Sequence, residues 1–178
     1  MAPVIPLQRF DFRELMGEGD INEFSDLINQ PPACRVKRNA ASANVAVSTA
    51  FTNVTWEADP YDPFNMWASG NPTAVTIGYT AHYDILFGIK WPSMGVVVVR
   101  GQIVKMPGPV IIAEASTFAQ TIAAGTSLQV KCDQYPLTVG DYLIFQVQHD
   151  DVTPRALQVT GAGTYASVKF YASGVLGT

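Results

Sequence analysis

Residues 82–91 read His-Tyr-Asp-Ile-Leu-Phe-Gly-Ile-Lys-Trp, and the stretch alternates. Tyr83, Ile85, Phe87, Ile89 and Trp91 fall on one side, with His82, Asp84, Gly88 and Lys90 on the other. A period of two is that of a half-buried β-strand, because successive side chains point to opposite faces of a pleated backbone. Pro92-Ser93-Met94-Gly95 then forms a turn, and Val96–Val104 forms a second strand. Working outward, the same reading gives strands at Ala33–Arg38, Ala50–Glu57 (with Val54 and Trp56 sharing a face), Val110–Ala123 and Thr126–Cys132. Leu143, Phe145 and Val147 alternate after Gly140-Asp141-Tyr142, and Thr164–Ala172 closes the domain with Ala166, Val168 and Phe170 inward. Asp59–Pro72 reads as a long turn-rich loop. About eight antiparallel strands in this arrangement predict an all-β, two-sheet jelly-roll sandwich.

Composition supports that class and excludes others. Apolar residues make up 48% of the 178-residue chain and charged residues only 15%, below the usual quarter or so. A formal charge of -4 argues against nucleic-acid binding, which needs a basic stripe to displace counterions. The one basic cluster, Arg35, Lys37 and Arg38, reads as a solvated strand edge that discourages pairing with other chains. No stretch approaches the roughly 18 apolar residues of a membrane span, and residues 1–12, with Pro3 and Pro6, lack the apolar run of a leader. The expectation is a soluble cytoplasmic product with no membrane partner. Cys34 and Cys132 then read as two thiols, although one bridge between them stays open.

Charge is distributed unevenly. Eleven of the 26 charged residues lie within positions 1–38, and Pro31-Pro32 follows at once on the only credible helix. Asp20 can cap that helix, Glu23 completes a capping-box-like pair, and Ile21, Phe24, Leu27 and Ile28 share one face. The boundary therefore divides an arm, 1–32, from a head, 33–178. So short an amphipathic helix is marginal by itself, and its stripe needs a surface. Phe10, Phe12 and Leu15 pose the same need, met either by the head or by a partner.

Catalytic chemistry is sparse. His149, Asp150 and Asp151 form a polar cluster that reads as an exposed loop, since no serine or cysteine stands in a nucleophile motif. His82 and Asp84 share a strand face, but zinc needs three or four ligands. Asp59 and Asp62 suit calcium less well than turn formation beside proline. Tyr61, Phe64 and Trp67 suit sugar stacking less well than plugging one end of the sandwich. Asp150 and Asp151 are adjacent, so on a strand they would point apart, which does not suit a glycosidase pair. The chain is expected to be no enzyme and to need no cofactor or metal.

Several motifs carry a resemblance when taken in order. Trp56-Glu57-Ala58-Asp59, Asp62-Pro63-Phe64-Asn65-Met66-Trp67, Val75-Thr76-Ile77 and Tyr83-x-Ile85-x-x-x-Ile89-x-Trp91 run as they do in complement-like globular heads of the tumour necrosis factor-like jelly rolls. Gly140-Asp141-Tyr142-x-x-Phe145-x-Val147 and Thr164–Phe170 continue the likeness, which spans about 33–172. Pro31–Val36 resembles the lead-in to such domains in bacteriophage structural proteins. Departures are Ala81, where the family has Gly, and a rebuilt turn at Met106–Pro109.

The resemblance implies a homotrimer with aromatic residues in the seam, for which Tyr79, Trp91, Tyr142 and Tyr171 are candidates. It implies a phage virion protein assembled in the host cytoplasm: a capsid decoration or head-fibre protein at the virion surface. Phe10, Phe12, Leu15, Ile21, Phe24, Leu27 and Ile28 would bind the major capsid protein or another virion component. The alternative it leaves open is a receptor-binding tip on a tail fibre or baseplate that takes a host glycan or protein.

Overall fold

The computed structural model describes residues 33–39, 44–45, 50–93, 95, 97–119, 125–151, 153–159 and 163–171. The strands run β1 (Ala33–Lys37), β2 (Asn44–Val45), β3 (Thr52–Asn53), β4 (Ala58–Tyr61), β5 (Ala74–Thr76) and β6 (Ala81–Trp91). They continue as β7 (Val97–Met106), β8 (Val110–Ala119), β9 (Thr126–Leu137), β10 (Tyr142–His149), β11 (Arg155–Ala156) and β12 (Tyr165–Tyr171). The first sheet has the order β4-β1-β12-β6-β9, and the second has β3-β10-β7-β8 with β5 also against β10. Every pairing in both is antiparallel. The fold is an all-β jelly-roll sandwich, and the described residues hold no α-helix. The arm and its short helix, residues 1–32, lie outside the described residues.

The alternation at 83–91 does what its period demands. Tyr83, Ile85, Phe87, Ile89 and Trp91 are all buried between the sheets, while His82 is exposed on the outer face. The second sheet answers with Val99, Ile103, Leu143, Phe145 and Val147. At the centre, Trp56 meets Phe87 and Phe145 edge-on at 6.1 and 5.6 Å, and Phe87 meets Phe145 at 5.3 Å. One aromatic cluster thus ties the sheets together, each ring contributing about 1.5–3 kcal/mol by burial. Gly101 makes room for it: a Cβ there would sit 2.2 Å from Ile89 Cδ1.

Three expectations need correction. Arg35 and Lys37 do not mark a sheet edge, because β1 is paired on both sides, by β12 and by β4. The covering strand β4 occupies the start of the segment expected to be wholly loop. Pro60 within it is tolerated because β4 is the sheet's edge, where a missing N–H costs no ladder bond. Finally, His149 is not in an exposed loop. It ends β10 on the inward side and is buried, with its ring edge-on to Trp91 at 5.1 Å.

The rest of the Asp59–Pro72 segment is held by Asp62. Its two carboxylate oxygens accept hydrogen bonds from the backbone N–H groups of Met66 and Trp67, each at 2.8 Å. These bonds reach four and five residues ahead, so the carboxylate staples a wide loop and does not form a simple Asx turn. Phe64 and Trp67 pack against the core as plugs, with Phe64 edge-on to Tyr79 at 5.7 Å. Tyr61, on β4, stays exposed.

Candidate functional site

With the core filled by inward side chains, function falls to the outer faces. On the second sheet the register aligns Ile111, Val104, Ile144 and Ala74 in one row across β8, β7, β10 and β5. Met106 and Tyr142 stand opposite one another in the row beside it. Of this apolar row, Val104 and Ala74 are buried, Ile144 is half-buried and Ile111 is open to solvent. Ile111 is 56% exposed, and Val110 beside it is also exposed. Phe118, at the far end of β8, is 67% exposed. A register shift opposite Ile103 and Val104 inserts Ile112 into β8, so that Ile112 and Ala113 both pack against the core and Ile111 turns outward.

Beside this row runs a ladder of side-chain amides. Gln102 Nε2 donates to Gln146 Oε1, and Gln146 Nε2 donates to Asn53 Oδ1 at 2.8 Å. Glu114 is opposite Gln102 at the exposed end of that row. The face therefore combines apolar and hydrogen-bonding side chains, which is the character of a protein-binding surface.

The expected seam residues separate. Trp91 is 0% exposed and belongs to the core, so it has no surface to offer a partner: this corrects the expectation. Tyr142 opens β10 and lies half-buried on the second sheet's outer face, opposite Met106. Tyr171 ends β12 on the first sheet, opposite His82, and is 37% exposed. Tyr79 precedes β6, and its carbonyl accepts the Tyr83 hydroxyl at 2.8 Å. Phe10, Phe12, Leu15, Ile21, Phe24, Leu27 and Ile28 lie outside the described residues. Sequence reasoning missed Ile111 and Phe118 as surface residues, since an outward residue on β8 looks the same as an inward one until the bulge at Ile112 is known.

The polar clusters are structural. Asp151 accepts from the Thr153 N–H at 2.9 Å and from Arg155 Nε at 2.8 Å, which together hold its carboxyl below the usual range. Asp150 accepts from the Val98 N–H, and Asp84 accepts from the Gln134 N–H at 3.0 Å. Among the described residues no three His, Cys, Asp or Glu side chains gather as metal ligands would.

No family profile matches the chain, and no curated protein matches it in sequence. Solved structures do match. The globular domain of zebrafish complement 1qA protein superimposes with a TM-score of 0.55 at 16% identity, over 79% of this chain and 96% of that one. Murine APRIL gives 0.58 at 10% identity, over 79% and 98%. Eiger TNF from S. frugiperda gives 0.53 at 12% identity, over 79% and 94%. The fold is that of the complement and tumour necrosis factor jelly rolls. At these identities the likeness carries the fold alone, and nothing in it points to a bacteriophage. The expected jelly roll is thus observed, and the virion remains an interpretation of the sequence.

Proposed function

We propose that this chain is a non-catalytic assembly protein: a homotrimeric jelly-roll head displayed on a particle surface and anchored there by residues 1–32. The observation that carries the reading is the exposure of Val110, Ile111 and Phe118 on β8, with half-buried Ile144 and Tyr142 on the same outer face. Exposed apolar side chains along an edge strand, on a sandwich already full within, are best satisfied by another protein surface. A cyclic trimer joins two different patches at each contact. Ile111, Phe118 and Tyr142 would supply one patch and Tyr171, on the first sheet, would contribute to the other.

The particle favoured is a bacteriophage capsid, for which the support is the sequence around Pro31–Val36 and the charge-rich arm. Three arms on one trimer would add avidity to a weak single attachment. The test mixes the full chain, and the chain lacking residues 2–30, with virions purified from the same host. Co-sedimentation of the full chain and loss of the truncated one supports capsid anchoring. Equal retention of both, or of neither, overturns it.

A further inference from the structure

The first sheet carries a feature that assembly does not use. A groove of about 290 Å³ is lined by Arg35, Lys37, Arg38, Pro60, Thr164 and Tyr165. Three of those side chains are cations and no acid lines it, in a chain whose net charge is -4. Arg38 is buried beneath and pairs with Glu57 at 3.9 Å, so one of the three charges is answered locally. Arg35 and Lys37 are exposed at the mouth.

The arrangement is built from three strands. Tyr165 on β12 is opposite Lys37 on one side and Gly88 of β6 on the other. Gly88 leaves the space the ring needs, since a Cβ there would come within 2.5 Å of Tyr165 Cε1. The Arg35 guanidinium lies over the same ring, 4.9 Å from its centroid. Stacking of this kind fixes a long side chain in advance and leaves its planar donor fork for a ligand. A second hollow of about 140 Å³ shares Tyr165 as a wall and continues over Gly88 to Lys90, Ser127 and Gln129.

We infer that this double groove binds an acidic saccharide unit, with its carboxylate, sulfate or phosphate between Arg35 and Lys37. The sugar hydroxyls would meet Ser127 and Gln129 in the second hollow. Oxyanions are matched by the guanidinium fork, and the neighbouring hydroxyl and amide suit a polyol. The size is at the lower end for ligand sites, which fits one sugar residue. Nucleic acid fits less well, because its phosphates call for cations strung along a track and here they converge in one hollow.

The test titrates the full chain, followed by NMR, with galacturonic acid, glucose 6-phosphate, inorganic phosphate and glucose. Both acidic sugars are expected to saturate, inorganic phosphate to bind roughly tenfold more weakly, and glucose not to bind. The double variant Arg35→Gln/Lys37→Gln, with its thermal midpoint unchanged, should bind the acidic sugars roughly tenfold more weakly or worse, as loss of charge-assisted hydrogen bonds gives. Tyr165→Leu keeps every charge yet should weaken binding several-fold by releasing Arg35. Failure of both acidic sugars to saturate, or undiminished binding by the double variant, overturns the proposal. Inorganic phosphate binding as tightly as the sugars would also overturn it, by reducing the groove to an unspecific anion site.

Discussion

Cys34 and Cys132 occupy one row of the first sheet, with Val168 and Ile85 between them. Three strand spacings separate the two Cα atoms by about 14 Å, whereas a disulfide needs less than about 7 Å. The bridge left open by the sequence is therefore closed to a folded monomer. Burial, and then Asp62 and Asp59, push the Cys34 thiol far above its ordinary range, and burial followed by Asp133 raises Cys132. Under mild oxidation the folded chain should form no internal bridge. Iodoacetamide should label half-buried Cys132 slowly and Cys34 only after unfolding. An intrachain disulfide found in peptide mass spectra would contradict the register.

Trp91 and Tyr142, both expected at the seam, should part on mutation. Trp91→Ala empties a fully buried site and should cost about 3–5 kcal/mol in a denaturant titration. Tyr142→Ala on the outer face should cost the monomer under about 1 kcal/mol while weakening self-association. Equal losses of fold stability would place both rings in the core.

The division was visible in the sequence. The alternation of 83–91 and of 143–147 fixes strand type and inward face, because burial on one side leaves a period of two. The same alternation separates Trp91 from Tyr142: Trp91 is in phase with the buried Tyr83, Ile85, Phe87 and Ile89, and Tyr142 is one position out of phase with Leu143, Phe145 and Val147. Strands β4 and β5 were hidden, being short, with Pro60 in one and turn residues before the other. The groove was harder still. Lys37, Gly88 and Tyr165 are far apart in the chain and meet only through register, so Arg35-x-Lys37-Arg38 looked like an edge.

Gly125 should resist substitution. Its φ of 73° lies in the left-handed region, and a Cβ would fall 2.2 Å from the Trp91 carbonyl oxygen. Backbone cannot yield as a side-chain tip can, so Gly125→Ala should cost about 2 kcal/mol or more. Gly70, with open space around it, should accept alanine within about 0.5 kcal/mol. Thermal melts of the two variants side by side make the comparison, and a neutral Gly125→Ala would sink it.

Acid should loosen the turn before β10. The Thr138 N–H, then the Thr138 hydroxyl and Lys105 Nζ at 3.3 Å, hold the Asp141 carboxyl below its usual range despite partial burial. A depressed folded value stabilises the fold above the unfolded carboxyl range and loses that effect as pH falls through the folded value. Asp141→Asn should therefore cost about 1–2 kcal/mol at pH 7, and the gap from wild type should shrink below about pH 4. A gap that stays constant with pH would assign the loss to something other than the charge.

Self-association through the outer face of the second sheet should depend on Ile111 and Phe118. Ile111→Asp and Phe118→Asp each place a charge on an exposed apolar site, so the monomer should keep its fold within about 1 kcal/mol. Each should nevertheless shift the oligomer toward monomer in size-exclusion chromatography with light scattering. An unchanged elution position for both variants would remove this face from the contact.

Sedimentation equilibrium of the full-length chain at micromolar concentration tests the central claim most directly. The account predicts a single species of three times the 19.2 kDa chain mass, dissociating in the Ile111→Asp variant. A species at 19.2 kDa across the concentration range would contradict the homotrimer and, with it, the reading of the outer face as an assembly surface.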